Sequence, residues 1–178
     1  MIMEKKIKPY VIHIMAIPGI CGDIIDLPKE FNAIIVCTER WNENVRLFDE
    51  GNRLLLTFLD YEDPALLGGF DESDARKILD FLDGLSEEVT DLYVCCSKGG
   101  SRSAAVAAAL LKMSGRSELL VWENPFYVPN TLVYARLLRF AGYEISDEEV
   151  ERLKELNEAS FEMSKKGVIK HERWEILF

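Results

Sequence analysis

Histidine and cysteine are both scarce in this chain: two histidines, His13 and His171, and four cysteines, Cys21, Cys37, Cys95 and Cys96, among 178 residues. No C-x-x-C pair occurs, so a structural zinc site would have too few ligands at too irregular a spacing. Four irregularly spaced cysteines do not make a disulfide framework either. Neighbouring residues on a strand point to opposite faces, so Cys95 and Cys96 are poorly placed to bridge each other. Reduced thiols and a cytoplasmic location are the expectation. Positive charge is also in deficit, with 21 Lys+Arg against 31 Asp+Glu and a formal net charge of −10. A field of that sign repels phosphate backbones at long range, which argues against a nucleic-acid partner. It still leaves room for a local basic pocket that binds a small anion. Long apolar runs are missing as well. The run from Tyr10 to Ile17 follows Lys5, Lys6 and Lys8 and imitates a signal peptide. However, it contains His13, stops at Pro18-Gly19 and has no small-x-small cleavage site. It is also far short of the roughly 20 residues that cross a bilayer. No membrane insertion is expected, and the run reads as a buried first strand.

What is present is ordinary for a globular protein, at 48% hydrophobic and 29% charged residues. The length suggests a single domain over residues 1–178, with 144–178 as a C-terminal helical extension. Its tail aromatics Trp174 and Phe178 either pack on the domain or serve an interface. Nothing in the sequence sets an oligomeric state. The runs Tyr10–Ala16, Asn32–Cys37, Arg53–Leu59 and Asp91–Cys95 lack alternation, as strands buried on both faces of a parallel sheet do. Between them, Ala75, Ile78, Leu79 and Leu82 recur at helical spacing within Asp71–Leu85, and Gly84 is placed to end that helix. Ser103–Ser114 is a strong helix former that is apolar almost all round, ending at Gly115. Asn130 is the expected N-cap of a helix over "TLVYARLLRFAG". Ser146 and Glu149 form a capping box for a last helix that runs to about Lys166, with Ile145 and Val150 placed as a hydrophobic staple. The fold class expected is α/β: a central, mostly parallel sheet flanked by helices on both faces.

The stretch Tyr93–Ser103, "YVCCSKGGSRS", carries the chemistry. After the strand, residues 97–102 can wrap so that successive backbone N–H groups of Ser97, Lys98, Gly99, Gly100 and Ser101 point inward as an anion nest. Gly99 and Gly100 permit the positive φ or close approach that such a turn requires. The buried helix that follows adds positive potential at its N-terminus. Cys96 at the floor of this field is favoured as a thiolate. Arg102 can curl back and offer a planar fork to two phosphate oxygens. Lys98 either attracts an anionic substrate or is an exposed loop lysine. Cys37 and the following Thr38-Glu39-Arg40-Trp41 end a parallel strand where ligands tend to bind, although a solvated loop explains them as well.

The segment Cys96–Ser103, "CSKGGSRS", resembles the C-x5-R-[S/T] signature of the cysteine-dependent protein tyrosine and dual-specificity phosphatases. "LLLTFLDYEDP" (54–64) looks like the strand and loop that hold the general acid in that family. "VPNTLVYARLL" (128–138) is similar to the helix start of its small dual-specificity members. The resemblance covers roughly residues 10–142. It implies a phosphocysteine mechanism without metal or organic cofactor. Cys96 is then the nucleophile, Arg102 the phosphate clamp, and Ser103 the residue that hydrogen-bonds the sulfur. Asp60 would be the general acid, favoured over Asp63 and then Glu62. The implied partner is a phosphorylated protein, with phosphotyrosine foremost, or a small phosphomonoester. One departure from the pattern is Cys95, where the family usually has histidine. It puts the depth of the thiolate pKa in question, and it offers a thiol beside the nucleophile that could trap a sulfenic acid.

Three other readings use the same residues. A phosphoinositide or other small-molecule phosphatase would draw on Lys98. A non-catalytic phosphate-binding module would follow if Cys96 stayed a neutral thiol. A sulfur-transfer or arsenate-reducing enzyme would not need the carboxylic acids that follow "LLLTFL".

Overall fold

The computed structural model describes residues 3–16, 30–39 and 52–167. Ile17, Pro18, Gly19, Cys21, Arg40, Trp41, His171, Trp174 and Phe178 lie outside the described residues. Four apolar segments form one sheet: β1 (Val11–Ala16), β2 (Asn32–Thr38), β3 (Arg53–Thr57) and β4 (Asp91–Cys96). The strand order is β1-β4-β2-β3, and every pairing among these strands is parallel. Parallel neighbours need crossover connections, so all four C-terminal ends come to the same edge. Alternate side chains separate cleanly. Ile12, Ile14, Ala33, Ile35, Cys37, Leu92, Val94 and Cys96 enter the main core, whereas Ile34, Val36 and Cys95 form a second cluster with Met15 and Tyr93.

The described residues form five helices: α1 (Glu72–Gly84) between β3 and β4, and after β4 α2 (Arg102–Met113), α3 (Leu119–Trp122), α4 (Thr131–Phe140) and α5 (Asp147–Lys165). Their buried apolar residues all join the main core. Among the described residues, helices therefore cover one face of the sheet, and the expectation of helices on both faces is met there on one. In α2 the alanines 104, 105, 107, 108 and 109 are fully buried. Their short side chains let the axis lie close to the sheet. Val106, Leu110 and Leu111 supply more of the hydrophobic stabilisation, about 1.5–3 kcal/mol for each fully buried large aliphatic.

The boundaries differ from the sequence reading in small, explicable ways. β3 ends at Thr57 rather than Leu59, because after Phe58 the chain turns to bridge Leu59 with Gly69. Gly84 remains inside α1, which is capped at its ends by Asp71 and Leu85. Ser146 caps α5 by accepting from the Glu149 N–H at 3.1 Å, but the Glu149 carboxylate pairs with Lys112 at 3.2 Å instead of completing the box. The short helix α3 carries no periodic signal in the sequence. No helix among the described residues is long and apolar enough to cross a membrane.

Candidate active site

β4 delivers Cys96 to the sheet's C-terminal edge, on the floor of a cavity of about 370 Å³. Gly99 brings the loop back across the end of β1. Its φ is +68°, and a Cβ there would lie 2.6 Å from the backbone of Met15 and Ala16. No side chain can occupy that space without moving backbone. Gly100 is different, since it has no positive φ and an added Cβ would meet only the Phe126 carbonyl at 3.6 Å. Of the two glycines, only Gly99 is required by the turn. The segment after α3 fixes the loop from outside. Val128 donates its N–H to the Gly100 carbonyl at 2.8 Å, and Asn130 donates to the Ser101 carbonyl at 3.4 Å. With those carbonyls held outward, the amides of Gly100, Ser101 and Ser103 turn toward the Cys96 sulfur.

Two opposing effects act on the Cys96 thiol. Burial pushes its pKa up, but the Ser103 hydroxyl, 3.1 Å from Sγ, and the inward backbone amides pull it down further, so the net shift is downward. Without a histidine beside it, the sulfur still has hydrogen bonds that favour its charged form. Cys95 behaves oppositely. It is fully buried in the second cluster on the other sheet face, and desolvation pushes its thiol well up. Its position as an immediate trap for an oxidised Cys96 is overturned by that orientation, since the two sulfurs leave the strand in opposite directions.

Arg102 opens α2 and is almost entirely buried. Its Nη1 donates to the Phe58 carbonyl at 3.0 Å, and Nη2 donates to Ser97 Oγ at 3.1 Å and Glu39 Oε1 at 3.2 Å. Nε has no hydrogen-bond partner among the described residues. An unpaired donor on a buried cation is costly, and here it belongs to a side chain that lines the cavity with Cys96. A ligand oxygen would satisfy it.

Asp60 lines the cavity beside the loop. Its Oδ1 accepts from Ser101 Oγ at 2.9 Å and from Asn130 Nδ2 at 2.8 Å, while Oδ2 stands 3.9 Å from Arg102 Nε. The other two carboxylates of this loop are engaged elsewhere. Asp63 accepts from the Ala65 N–H at 2.9 Å in a local turn, and Glu62 reaches the Thr131 N–H at 3.3 Å and Lys154 at 3.6 Å. Neither lines the cavity, whereas Ser97, Lys98, Gly100 and Ser101 do.

Four contributors were not assigned to the site from the sequence. Glu39 is read there as part of a solvated loop, yet it lines the cavity and pairs with Arg102. Its place just past a parallel strand was the available signal. Asn130 was identifiable as an N-cap, and its Oδ1 does accept from the Val133 N–H at 3.0 Å. Its second role, holding Asp60, depends on the opposite end of the amide. Phe126 and Val128 form an exposed apolar rim, and nothing in their local pattern marks them. Among the described residues, no three His, Cys, Asp or Glu side chains stand together as a metal set.

No protein-family model matches the chain, and no curated protein matches it. Solved structures do. "Crystal Structure of PTPMT1" matches over 92% of this chain and 99% of its own, with a TM-score of 0.42 at 16% identity. "Crystal Structure of PTPMT1 in complex with PI(5)P" covers 82% of this chain and 88% of its own, with a TM-score of 0.40 at 18% identity. The Yvh1 phosphatase domain from Chaetomium thermophilum covers 95% and 98%, with a TM-score of 0.39 at 18% identity. These likenesses concern the path of the chain, and the roles assigned below rest on this chain's own residues.

Proposed function

We propose that this protein is a phosphomonoester hydrolase that works through a phosphocysteine at Cys96. The observation that carries this reading is the thiolate-stabilising contact between Cys96 Sγ and Ser103 Oγ, at 3.1 Å, on the floor of a cavity shared with Arg102 and Asp60. The Cys96 thiolate attacks phosphorus in line. Loop amides and the Arg102 guanidinium hold the equatorial oxygens and stabilise the charge they gather. As the P–O bond to the leaving group breaks, Asp60 gives that oxygen a proton. Both described donors to Asp60 reach Oδ1, which leaves Oδ2 to carry the proton. Water then attacks the phosphocysteine while Asp60 takes a proton from it, and the P–S bond breaks. Ser103 donates to the departing sulfur.

An aromatic phosphomonoester, phosphotyrosine in a protein, is the substrate class that suits the rim best. Phe126 and Val128 are 46% and 62% exposed at the cavity and offer apolar surface to a phenyl leaving group. A phosphoinositide headgroup is the second reading, favoured by Lys98, which lines the same cavity and could meet a second phosphate. Phenyl phosphate hydrolysis by the full chain, with chelator present and no added thiol, tests the reaction class. Turnover that disappears in Cys96→Ser supports it. Turnover that persists in that variant overturns the phosphocysteine. A parallel series of phosphotyrosine peptides and phosphoinositides in vesicles ranks the two substrate classes.

A further inference from the structure

Asp60 sits at the root of an excursion of the chain. The segment leaves the sheet after Phe58 and returns at Gly69, which bridges Leu59, and the Leu59 N–H donates to the Gly68 carbonyl at 2.7 Å. Between these points the backbone is neither helix nor strand, and residues 60–68 are exposed throughout. A segment with so few buried apolar contacts opens easily unless something else holds it. Two ties reach Glu62 across exposed surface, Lys154 at 3.6 Å and the Thr131 N–H at 3.3 Å. Such an ion pair contributes little, and Asp63 serves only the Ala65 N–H within the loop. Arg136 on α4 does more. Its Nη1 donates to the Phe70 carbonyl, and its Nη2 donates to the Pro64 carbonyl at 3.4 Å. One guanidinium thus ties the middle of the loop to its returning end.

We propose that Arg136 is a positioning residue for the acid, holding the backbone behind Asp60 so that its carboxyl meets the leaving oxygen without a prior closing motion of the loop. The inference rests on the hydrolase reading above and extends it to a side chain that is not among the described residues lining the cavity. The end that Arg136 grips is itself well held. Phe70 is fully buried, with its ring edge-on to Phe58 at 5.1 Å between centroids. Phe58 in turn gives its carbonyl to Arg102 Nη1 at 3.0 Å. The brace therefore refers the loop to the residue pair that also seats the phosphate clamp.

Two separate jobs are divided between neighbouring side chains of one element. Asn130, the N-cap of α4, joins Ser101 in orienting the Asp60 carboxylate through Oδ1. Arg136, nearly two turns further along, fixes the main chain instead. Its planar fork suits two carbonyls at once, which a lysine ammonium on a single flexible stem does not. The bonds are charge-assisted, and so stronger than those between neutral groups. Small displacements matter here, since moving a reacting group by about 1 Å costs on the order of 10²-fold in rate.

The test compares kcat/KM of the full chain for two esters, because that ratio reports the steps up to the phosphocysteine. Phenolate needs a proton as it leaves, and dinitrophenolate does not. Arg136→Ala, which keeps a strong helix former on α4, should lose roughly 10²-fold with phenyl phosphate and less than about twofold with dinitrophenyl phosphate. Its vanadate Kd should match wild type. Arg136→Lys keeps the charge but reaches one carbonyl, and should fall between the two. In an Asp60→Asn background, Arg136→Ala should add nothing. Equal losses with both esters would make Arg136 a merely structural residue, and no loss with phenyl phosphate would show that the loop stays in place without it; either result overturns the proposal. Amide hydrogen exchange reads the brace without turnover. Exchange over residues 59–68 should quicken in Arg136→Ala, while β4 and α2 keep wild-type rates. A wild type that hydrolyses neither ester would sink the hydrolase reading alone, whereas unchanged loop exchange would sink the brace in either case.

Discussion

Four donors around the Cys96 sulfur outweigh its desolvation, and each partner has a separable job. Replacing it with serine leaves the amides and Arg102 in place, so Cys96→Ser should lose turnover by several orders of magnitude yet still bind vanadate, measured by calorimetry. Arg102→Lys should lose both, because an ammonium cannot reproduce contacts to Phe58, Ser97 and Glu39 while still presenting a free N–H. The depressed thiol also has a stability signature. A group whose folded pKa is lowered contributes stability fully present above its unfolded value, about 8.5 for cysteine, and lost as pH falls through the folded value. Urea unfolding of wild type and Cys96→Ser should therefore diverge as pH rises toward about 8.5. Above that value the buried thiols Cys37 and Cys95, which the Cys96 charge raises further, contribute differently in the two proteins, so the comparison is read below it. A gap that is flat with pH would mean that Cys96 is not held as a thiolate.

At the scale of elements, the site is an edge to which three strands and two helices each bring one part. β4 carries Cys96, α2 Arg102, and the turn after β3 Asp60. The end of β2 supplies Glu39, and α4 begins at the asparagine that holds Asp60. The contiguous part was readable in the sequence because strand, turn and helix follow one another within eight residues, Cys96 to Ser103. Asp60 was readable because it leaves an apolar strand directly. Glu39, Asn130 and the Phe126–Val128 rim were not, since they acquire their roles only through contacts between distant segments. Asp60→Asn should lower kcat for phenyl phosphate by roughly 10²–10⁴-fold. Asp63→Asn, in its exposed turn, should leave it near wild type. Asn130→Ala removes a helix cap, for about 1 kcal/mol of stability, and also frees Asp60. Its distinguishing effect should be a kcat loss that adds nothing once Asp60→Asn is present. Additive losses would show that Asn130 serves only as a cap. Gly99→Ala should damage anion binding and stability together, because its Cβ would meet backbone of β1, whereas Gly100→Ala should be tolerated.

For the molecule as a whole, the question is whether the C-terminal helix is an appendage or part of the one core. Val150 and Leu153 of α5 lie in the main core. Asn157 is buried, and its Nδ2 donates to the Trp122 carbonyl at 2.8 Å and the Tyr127 carbonyl at 3.0 Å. That second contact lies on the segment that continues through Val128 to Asn130, which clamps the outer carbonyls of the cysteine loop. Helix and site are thus joined by the intervening chain. Losing a donor from a buried carbonyl costs about 1–3 kcal/mol, and in a chain of this size each kcal/mol moves Tm by about 2–4 °C. Asn157→Leu should therefore lower Tm by several degrees in a single transition, read by calorimetry, and should raise the vanadate Kd as the clamp loosens. Removing residues 147–178 should do the same more severely, exposing apolar surface of the core. Were α5 a separable extension, the truncated chain would keep its Tm and its vanadate affinity, and the single-domain description would have to be replaced by a core ending near residue 145.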